Sequence, residues 1–388
     1  MTQRLNLPTA DGSVEPYRLV GTPIARPATV PVFNRIAYAA AHVVSAPERD
    51  TDPWNHPAID WDTTLAFRHH LWRLGFKIAE AMDTSQRGMG LDWAGAQELI
   101  ARSLAEARTV EGADLACGAG TDHLDPRDAR TLDDVIAAYE TQLEHIEKHG
   151  GRAILMASRA LARIARSADD YATVYGRILS QTKDKVVLHW LGDMFDPQLR
   201  GYWGSTAFEP ALDCTLRIIR ENEAKVEGIK ISLLEHEKEI ALRERLPDGV
   251  LCFTGDDFNY AGLIEGDGAR HSHALLGIFD AVAPAASKAL AALAAGDRAT
   301  FRAVIDPTVP LSRTIFEAPT QYYKAGVVFL AWLNGHQSHF ILPGGMQSAR
   351  GITHYAEIFR LADQANILDH PDLATTRMRQ LAAVYGIS

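Results

Sequence analysis

The feature that most constrains the fold is an alternation of short apolar runs with longer segments of helical period. Such alternation is typical of right-handed βαβ units and a parallel sheet. Eight repeats favour a closed (β/α)8 barrel, the TIM-barrel architecture, over an open doubly wound sheet. No G-x-G-x-x-G motif opens an early helix, so a dinucleotide-binding fold gains no support. The eight predicted strands are Arg35–Val44, Lys77–Met82, Asp114–Gly120, Arg152–Ser158, Lys185–Gly192, Glu227–Ser232, Gly249–Gly255 and Gly268–Ala274.

The pattern also predicts three parts of the chain. Residues 1–30 form a short N-terminal arm, with a hairpin turning at Asp11-Gly12-Ser13. Residues 31–280 carry the barrel. Residues 281–388 are helical in period, with proline and glycine breaks, and are predicted to form a C-terminal helical extension.

Composition narrows the choice of partners and compartment. The 388 residues carry a net charge of −10 and no basic run, which argues against nucleic acid and anionic membranes. The three cysteines, Cys117, Cys214 and Cys252, are far apart and odd in number, so a reducing cytoplasm fits best. The N-terminus lacks the apolar core of a signal peptide, and no stretch approaches the roughly 20 apolar residues of a membrane span.

One charged residue, Lys230, lies in the middle of the predicted strand "EGIKIS". Alternation along a strand puts Gly228, Lys230 and Ser232 on one face and the two isoleucines on the other. With the isoleucines facing the helices, the lysine points into the barrel. Burial lowers the pKa of an amine, and a neutral amine attacks carbonyls to form Schiff bases. A lysine paired with a carboxylate, or one that reaches past the barrel rim, is an equal alternative on these residues alone.

Three segments, which keep the family's order along the chain, resemble the dihydrodipicolinate synthase/N-acetylneuraminate lyase family. "VEGIKIS" is similar to the family's G-[IV]-K-[ED]-S strand, and "VLCFTGDD" to its [ST]-G-D-D strand. "GFKIAEAMDTSQRG" resembles the strand that leads into the family's G-T-T-G-E loop. The likeness runs from about residue 30 to 345, is strongest around Lys230, and is to divergent dihydrodipicolinate-synthase-like members.

The resemblance implies that Lys230 forms an imine with an α-keto acid, so that a bond next to the carbonyl can be made or broken. By position, Thr84 and Ser85 would hold the substrate carboxylate or relay protons. The family's tyrosine proton shuttle has no equivalent here, and His189 occupies its position in "VVLHWLG". A histidine can perform acid–base chemistry near neutral pH, so His189 is the predicted substitute; a histidine hydrogen-bonded within the core is the alternative.

Further polar residues lie at predicted carboxyl ends of strands. Glu80, Asp83, Asp122 and His271 are predicted substrate contacts, and together they indicate a polar, sugar-like pocket. Each of them alone is more often a solvated or structural residue. The arginine that binds a second carboxylate in the synthases has no clear counterpart, which weakens the case for aspartate semialdehyde as substrate.

These observations leave three hypotheses. The first is a Schiff-base lyase or aldolase that acts on an α-keto acid or keto-sugar derivative and needs no cofactor or metal. The second is a metal-dependent sugar isomerase, epimerase or hydrolase that uses Glu80, Asp122, His189 and His271. The third is a barrel that binds a sugar acid without catalysis. A small-molecule substrate is expected, with no nucleic acid or membrane partner, and the resemblance implies a homo-oligomer, a dimer or tetramer.

Overall fold

The alternation read from the sequence is present in the structure, a computed structural model that describes residues 4–387. The strands, in chain order, are β1 (Arg4–Pro8), β2 (Val14–Arg18), β3 (Ala37–Ala40), β4 (Lys77–Glu80), β5 (Leu115–Ala119), β6 (Arg152–Leu155), β7 (Val186–Leu191), β8 (Val226–Ser232), β9 (Leu251–Thr254) and β10 (His273–Leu276).

The α-helices, in chain order, are α1 (Trp61–Arg73), α2 (Trp93–Ala107), α3 (Leu132–Lys148), α4 (Arg159–Ile164), α5 (Ala168–Gln181), α6 (Phe208–Glu221), α7 (His236–Arg245), α8 (Tyr260–Glu265), α9 (Ile278–Ala281), α10 (Ala283–Ala294), α11 (Arg298–Ile305), α12 (Thr308–Ile315), α13 (Tyr323–Leu333), α14 (Ile352–Gln364) and α15 (Pro371–Val384). Short 3-10 helices occupy Asp83–Ser85, Pro197–Leu199, Tyr202–Gly204, Glu223–Lys225, Thr320–Tyr322 and Pro343–Ala349.

Contacts divide the chain into two compact units. The first unit contains residues 35–41 and 77–276, and the second contains residues 4–34, 42–76 and 277–387. The predicted division at residues 30 and 280 stays a prediction.

The first unit holds the barrel. Eight parallel strands close in the order β10-β3-β4-β5-β6-β7-β8-β9, which confirms the predicted TIM barrel. Helices follow the strands as the period predicts. Thr131, for example, caps α3: its hydroxyl accepts a hydrogen bond from the Asp134 N–H, and the Asp134 carboxylate accepts one from the Thr131 N–H.

Each barrel strand overlaps its predicted segment, and the last one is displaced the most. The last barrel strand runs over His273–Leu276 instead of 268–274. The reason is a turn in which the Asp267 carboxylate accepts hydrogen bonds from the backbone N–H groups of Ala269 and Arg270, at 2.9 and 2.8 Å. The strand therefore starts only after this turn, and the polar residues before it precede the sheet.

The barrel interior is packed with side chains. The buried core consists of Tyr38, Ala40, Ala79, Met82, Ala116, Ile154, Met156, Val187, Phe253 and Leu275. Since these residues face inward, their neighbours along each strand face the surrounding helices.

The amino end of the barrel is closed by an ion-pair network. Arg152, the first residue of β6, bonds the Tyr38 hydroxyl at 2.9 Å and the carboxylates of Asp114 and Glu227 at 2.9 and 3.0 Å. Lys77, the first residue of β4, bonds Asp114 at 2.6 Å. This plug leaves the carboxyl ends of the strands for a site, as in other (β/α)8 barrels.

The second unit holds the terminal segments, and here the predicted N-terminal hairpin and C-terminal helices are confirmed. Strands β1 and β2 pair antiparallel, and the carboxylate of Asp363 in α14 holds the arm through Tyr17 Oη at 2.7 Å and the Val20 N–H at 2.8 Å. Helix α13 is buried over its whole length and packs against α9, α12, α14 and α15. Across residues 4–387, every helix is too short or too polar to span a lipid bilayer.

Candidate active site

Lys230 lies inside the barrel, as the alternation predicts. On β8, Gly228, Lys230 and Ser232 stand beside Val187, His189 and Leu191 of β7. On the other side Lys230 is paired with Phe253, a residue of the barrel core.

The environment of Lys230 favours its uncharged form. The residue is 7% exposed, and its amine forms no hydrogen bond and no ion pair with any residue from 4 to 387. Burial lowers the pKa of the Lys230 amine below its ordinary 10.5, although the negative charges of Asp83 and Asp257 act in the opposite direction. The amine is therefore a better nucleophile at neutral pH than an exposed lysine.

The glycine of the "TGDD" segment makes room for this lysine. A Cβ atom at Gly255 would lie 2.7 Å from Lys230 Cε and 2.2 Å from Ser232 Oγ. Both distances are far inside ordinary contact, so no larger residue fits while the two side chains keep their places.

His189 stands next to Lys230 and is fully buried. Its Nε2 lies 3.2 Å from Ser232 Oγ, and its Nδ1 is buried with no hydrogen-bond partner among the described residues. Burial, followed by the charge of Lys230, lowers the pKa of His189 well below its ordinary 6.5. The imidazole is therefore neutral at pH 7 and carries one proton.

A cavity of about 240 Å³ lies at the carboxyl ends of β4 to β7. His189 forms part of its wall, whereas Lys230, one strand further on, is not among the lining residues. The remaining wall is mixed: apolar residues such as Leu124, Met156 and Leu191 stand beside five charged ones, Asp83, Arg87, Asp122, Arg159 and Asp196.

Two arginine–carboxylate pairs hold this wall in place. Arg87 is buried and donates two hydrogen bonds to Asp122, one of them from Nε at 3.1 Å, and further bonds to the Gly118 carbonyl and the Gln142 side chain, each at 2.7 Å. Burial would raise the pKa of Asp122, but the charge and hydrogen bonds of Arg87 outweigh it and lower that pKa. Arg159, at the start of α4, donates from Nε to Asp196 at 2.5 Å.

The polar segment after β4 is only partly in the wall. Asp83 lines the cavity; Thr84 and Ser85, which follow it in the same 3-10 helix, are buried and do not. The Ser85 hydroxyl donates to the Met82 carbonyl at 2.7 Å, which holds the turn closed.

Two predicted substrate contacts are placed elsewhere. Glu80 follows the inward-facing Ala79, so its buried side chain points away from the barrel interior, and its carboxylate accepts a hydrogen bond from the Ala81 N–H. His271 precedes β10, so the prediction that it lies at a carboxyl end is wrong: the turn at Asp267 delays the strand and leaves His271 at the amino end of the barrel.

The metal ligands of the second hypothesis are therefore not brought together. Glu80, Asp122, His189 and His271 point to different parts of the barrel. Across residues 4–387, no group of three or more His, Cys, Asp or Glu side chains is placed to hold a metal ion.

Comparison with known proteins identifies the family of this chain. A family model described as "Protein of unknown function (DUF993)" matches residues 5–387. The chain belongs to the DUF993 family. A comparison with curated proteins finds no match.

Solved structures show what this DUF993 protein is similar to in fold. Dihydrodipicolinate synthase from Oceanobacillus iheyensis has a TM-score of 0.62 at 12% identity, over 86% of this chain and 97% of that one. The 4-hydroxy-tetrahydrodipicolinate synthase from Methylacidiphilum fumariolicum SolV has a TM-score of 0.62 at 14% identity, over 89% and 99%. The synthase from Bacteroides thetaiotaomicron has a TM-score of 0.62 at 14% identity, over 84% and 98%. The chain is a divergent, dihydrodipicolinate-synthase-like barrel.

The sequence analysis gave no role at the site to four polar residues of this region: Arg87, Arg159, Asp196 and Ser232. For two of them the sequence carries a signal. Arg159 follows the apolar run of β6 directly, as a residue at a carboxyl end must, and Ser232 shares the inward face of β8 with Lys230.

Proposed function

We propose that this DUF993 protein is a Schiff-base-forming lyase or aldolase that acts on an α-keto acid or a keto-sugar derivative. The observation that carries the proposal is an inward-facing Lys230 with a lowered pKa and no ion-pair partner among residues 4–387, beside a neutral histidine that lines a cavity. Perturbed groups of this kind are concentrated at functional sites. The fold of the solved dihydrodipicolinate synthases supports the assignment by analogy.

The chemistry begins with the amine. The neutral Lys230 amine attacks the substrate carbonyl carbon, and the resulting carbinolamine takes up one proton and loses water, which leaves a protonated imine. The imine accepts the electron pair of a neighbouring C–C, C–O or C–H bond as that bond breaks. His189 takes or returns the proton of this step, since it is neutral and lies on the adjacent strand. The imine itself is the electron sink, so the proposal requires no cofactor.

The cavity supplies the substrate contacts. Asp83 and Asp122 accept hydrogen bonds from substrate hydroxyl groups, and Arg159 donates to substrate oxygens through its terminal nitrogens. Thr84 and Ser85 are buried outside the cavity wall, so their proposed role at the substrate carboxylate rests on the resemblance alone. Glu80 and His271 are left out of the proposed site because of where they lie.

The proposal extends to the location and the oligomeric state of the protein. All three cysteines are buried and free of disulfides, which supports a cytoplasmic location. A homo-oligomer, dimer or tetramer, is proposed by analogy with the family, and the partner is a small molecule.

The decisive experiment is borohydride trapping. The protein is incubated with a panel of α-keto acids and keto sugars, reduced with borohydride, and digested for peptide mass spectrometry. We expect a reduced adduct on Lys230 with at least one compound. Lys230→Ala removes the adduct, while the control Lys183→Ala, which changes a lysine with a 71% exposed side chain, leaves it.

Each other outcome points to one of the alternatives. Turnover of a panel compound that stops with EDTA, with no adduct, would replace the proposal by a metal-dependent enzyme. Ligand binding that persists in Lys230→Ala, with neither adduct nor turnover, would replace it by a binding protein.

A further inference from the structure

The charged side chains of the cavity wall differ in how much hydrogen-bonding capacity they have left for a ligand. Arg87 has none, because partners within the barrel occupy all of its donors. Its Nε and Nη2 donate to Asp122, Nη2 also donates to Gln142, and Nη1 donates to the carbonyls of Ala81 and Gly118. An arginine has five N–H donors, so this residue holds the wall together and does not bind substrate.

Arg159, in contrast, uses one donor. Its Nε donates to Asp196 at 2.5 Å, and the four N–H groups of Nη1 and Nη2 have no partner among residues 4–387. Nη1 lies 3.9 Å from where a Cβ atom at Gly88 would stand, and Gly88 is another residue of the cavity wall. The terminal edge of the guanidinium is therefore at the cavity. Two parallel N–H groups of this kind match the two oxygens of a carboxylate.

Arg159 is held in place before any ligand arrives. It is the first residue of α4, and the hydroxyl of the preceding Ser158 accepts a hydrogen bond from the Leu161 N–H at 3.0 Å. The Asp196 carboxylate that binds Nε also accepts a hydrogen bond from the Gln198 N–H at 3.1 Å. A donor that is fixed in advance loses less conformational entropy when it binds, so the terminal edge is a preorganised contact.

Asp83 has the corresponding unused acceptors. Asp122 already accepts three hydrogen bonds and Asp196 accepts two. The Asp83 carboxylate forms no hydrogen bond and no ion pair within residues 4–387, although its charge acts on Lys230. A carboxylate can accept about four hydrogen bonds, so Asp83 is suited to hydroxyl groups of a ligand. A second carboxylate would be repelled by it.

We propose that Arg159 binds the single carboxylate of an α-keto acid, and that Asp83 selects for an uncharged, hydroxyl-bearing remainder and against a second anionic group. This inference rests on the proposed function and names the substrate class of the same site. With a neutral His189, the wall has two positive and three negative side chains, a net charge of −1. The protonated imine of a monocarboxylate has no net charge, whereas that of a dicarboxylate carries −1 and is disfavoured.

Pyruvate and pyruvamide, which differ in one charged group, test the role of Arg159. In borohydride trapping, the wild type should reach half its maximal rate at an about 10- to 100-fold lower concentration of pyruvate, the effect of hydrogen bonds to a charged group. Arg159→Gln should remove most of this difference. The control Arg177→Gln changes an arginine of α5 with a 61% exposed side chain and should keep it. A wild-type preference for pyruvate in Arg159→Gln would overturn the assignment.

2-Oxoglutarate and its 5-methyl ester test the role of Asp83, since they differ only in the distal charge. The wild type should need at least about tenfold less of the ester, because like charges in contact are disfavoured. Asp83→Asn should remove most of this preference, and the control Asp169→Asn, with an 83% exposed side chain, should keep it. Comparison of two compounds within each variant cancels any change in the reactivity of Lys230. A wild type that takes the diacid as readily as the ester would refute selection against a second anion.

The hydroxyl groups are tested with two six-carbon keto acids, 2-keto-3-deoxygluconate and 2-oxohexanoate. The wild type should need less of the hydroxylated compound, and Asp83→Ala should lose this preference. If the wild type favours 2-oxohexanoate, the apolar part of the wall governs selection and the proposed role of Asp83 is wrong.

Calorimetry separates failure of this inference from failure of the proposed function, because it measures binding of the same compounds whether or not an imine forms. If the compounds bind with the expected preferences but give no adduct on Lys230, the lyase proposal fails and recognition by Arg159 and Asp83 stands. If adducts form without these preferences, the recognition fails alone. Absence of both binding and adducts would overturn the two together.

Discussion

Replacement of Gly255 by alanine tests whether the space beside Lys230 is as tight as the structure indicates. The added Cβ atom would lie 2.2 Å from Ser232 Oγ, 2.7 Å from Lys230 Cε and 2.9 Å from the Ile231 carbonyl oxygen. Ordinary contact begins at 3.4 Å, so the nearest atom is about 1.2 Å too close. The lysine can bend away, but the Ile231 carbonyl can move only with β8 itself.

Two effects of different size follow for Gly255→Ala. Overpacking of this kind costs about 1–3 kcal/mol of unfolding free energy, which leaves a typical domain folded. The effect on the reaction rate should be easier to detect than the effect on stability, because displacement of a reacting group by about 1 Å can slow a reaction about a hundredfold. We therefore expect a folded protein that traps keto acids on Lys230 far more slowly than the wild type.

Urea unfolding and the rate of borohydride trapping measure the two effects. The control is Gly176→Ala in the middle of α5, where an added Cβ atom meets nothing within 4 Å. That change should stabilise the protein by up to about 1 kcal/mol, since alanine is the better helix former, and leave trapping unchanged. Wild-type stability together with wild-type trapping in Gly255→Ala would refute the packing described for Lys230 and Ser232.

Two other substitutions test buried ionisable groups. Burial raises the pKa of Glu239 from 4.5 to about 8. Between these two pH values the folded protein keeps the carboxyl proton, whereas the unfolded chain releases it. The unfolding free energy therefore falls by about 1.4 kcal/mol per pH unit over that range. Urea unfolding at several pH values measures this effect: Glu239→Gln should remove this part of the pH dependence, and the exposed control Glu237→Gln should keep it. If the unfolding free energy of both variants changed equally with pH, a buried, protonated Glu239 carboxyl would be contradicted. Arg87→Met should lower the unfolding free energy by about 1–3 kcal/mol, because it leaves the buried Gly118 carbonyl without this donor and removes the charged partner of the partly exposed Asp122; an unchanged unfolding free energy would show that these bonds do not stabilise the fold.

The barrel was predictable because its signal is repeated and local. Eight apolar runs with helical segments between them admit few other folds, and the alternation in "EGIKIS" determines which face carries Lys230. The last strand was misplaced because the hydrogen bonds of one side chain, Asp267, form a turn inside a segment that reads as continuous. That error moved His271 from one end of the barrel to the other.

The wall of the cavity was less predictable because it depends on distant pairs. Arg87 follows β4 and Asp122 follows β5, and only the closed sheet shows that they meet. The same holds for Arg159 and Asp196, which belong to the segments after β6 and β7. Glu80 shows a different limit: a one-residue step along β4 decides whether a side chain faces the interior or the helices, and the short run "KIAE" leaves that step open.

Lys230 differs from Arg87 and Arg159 in its ion pairing, and this difference explains why an uncharged residue stands at position 189. Each arginine has a carboxylate partner, whereas Lys230 has no ion-pair partner in residues 4–387, so its amine can lose the proton. A carboxylate at position 189 would supply that partner and favour the ammonium form. His189→Glu should therefore raise the pH at which trapping reaches half its maximal rate by about 1–3 units, the usual effect of a close opposite charge. His189→Gln has the shape of the glutamate variant without its charge and should keep the wild-type pH profile of trapping, although both variants lose the imidazole. Coinciding profiles for the two variants would mean that the state of the Lys230 amine does not depend on the charge beside it.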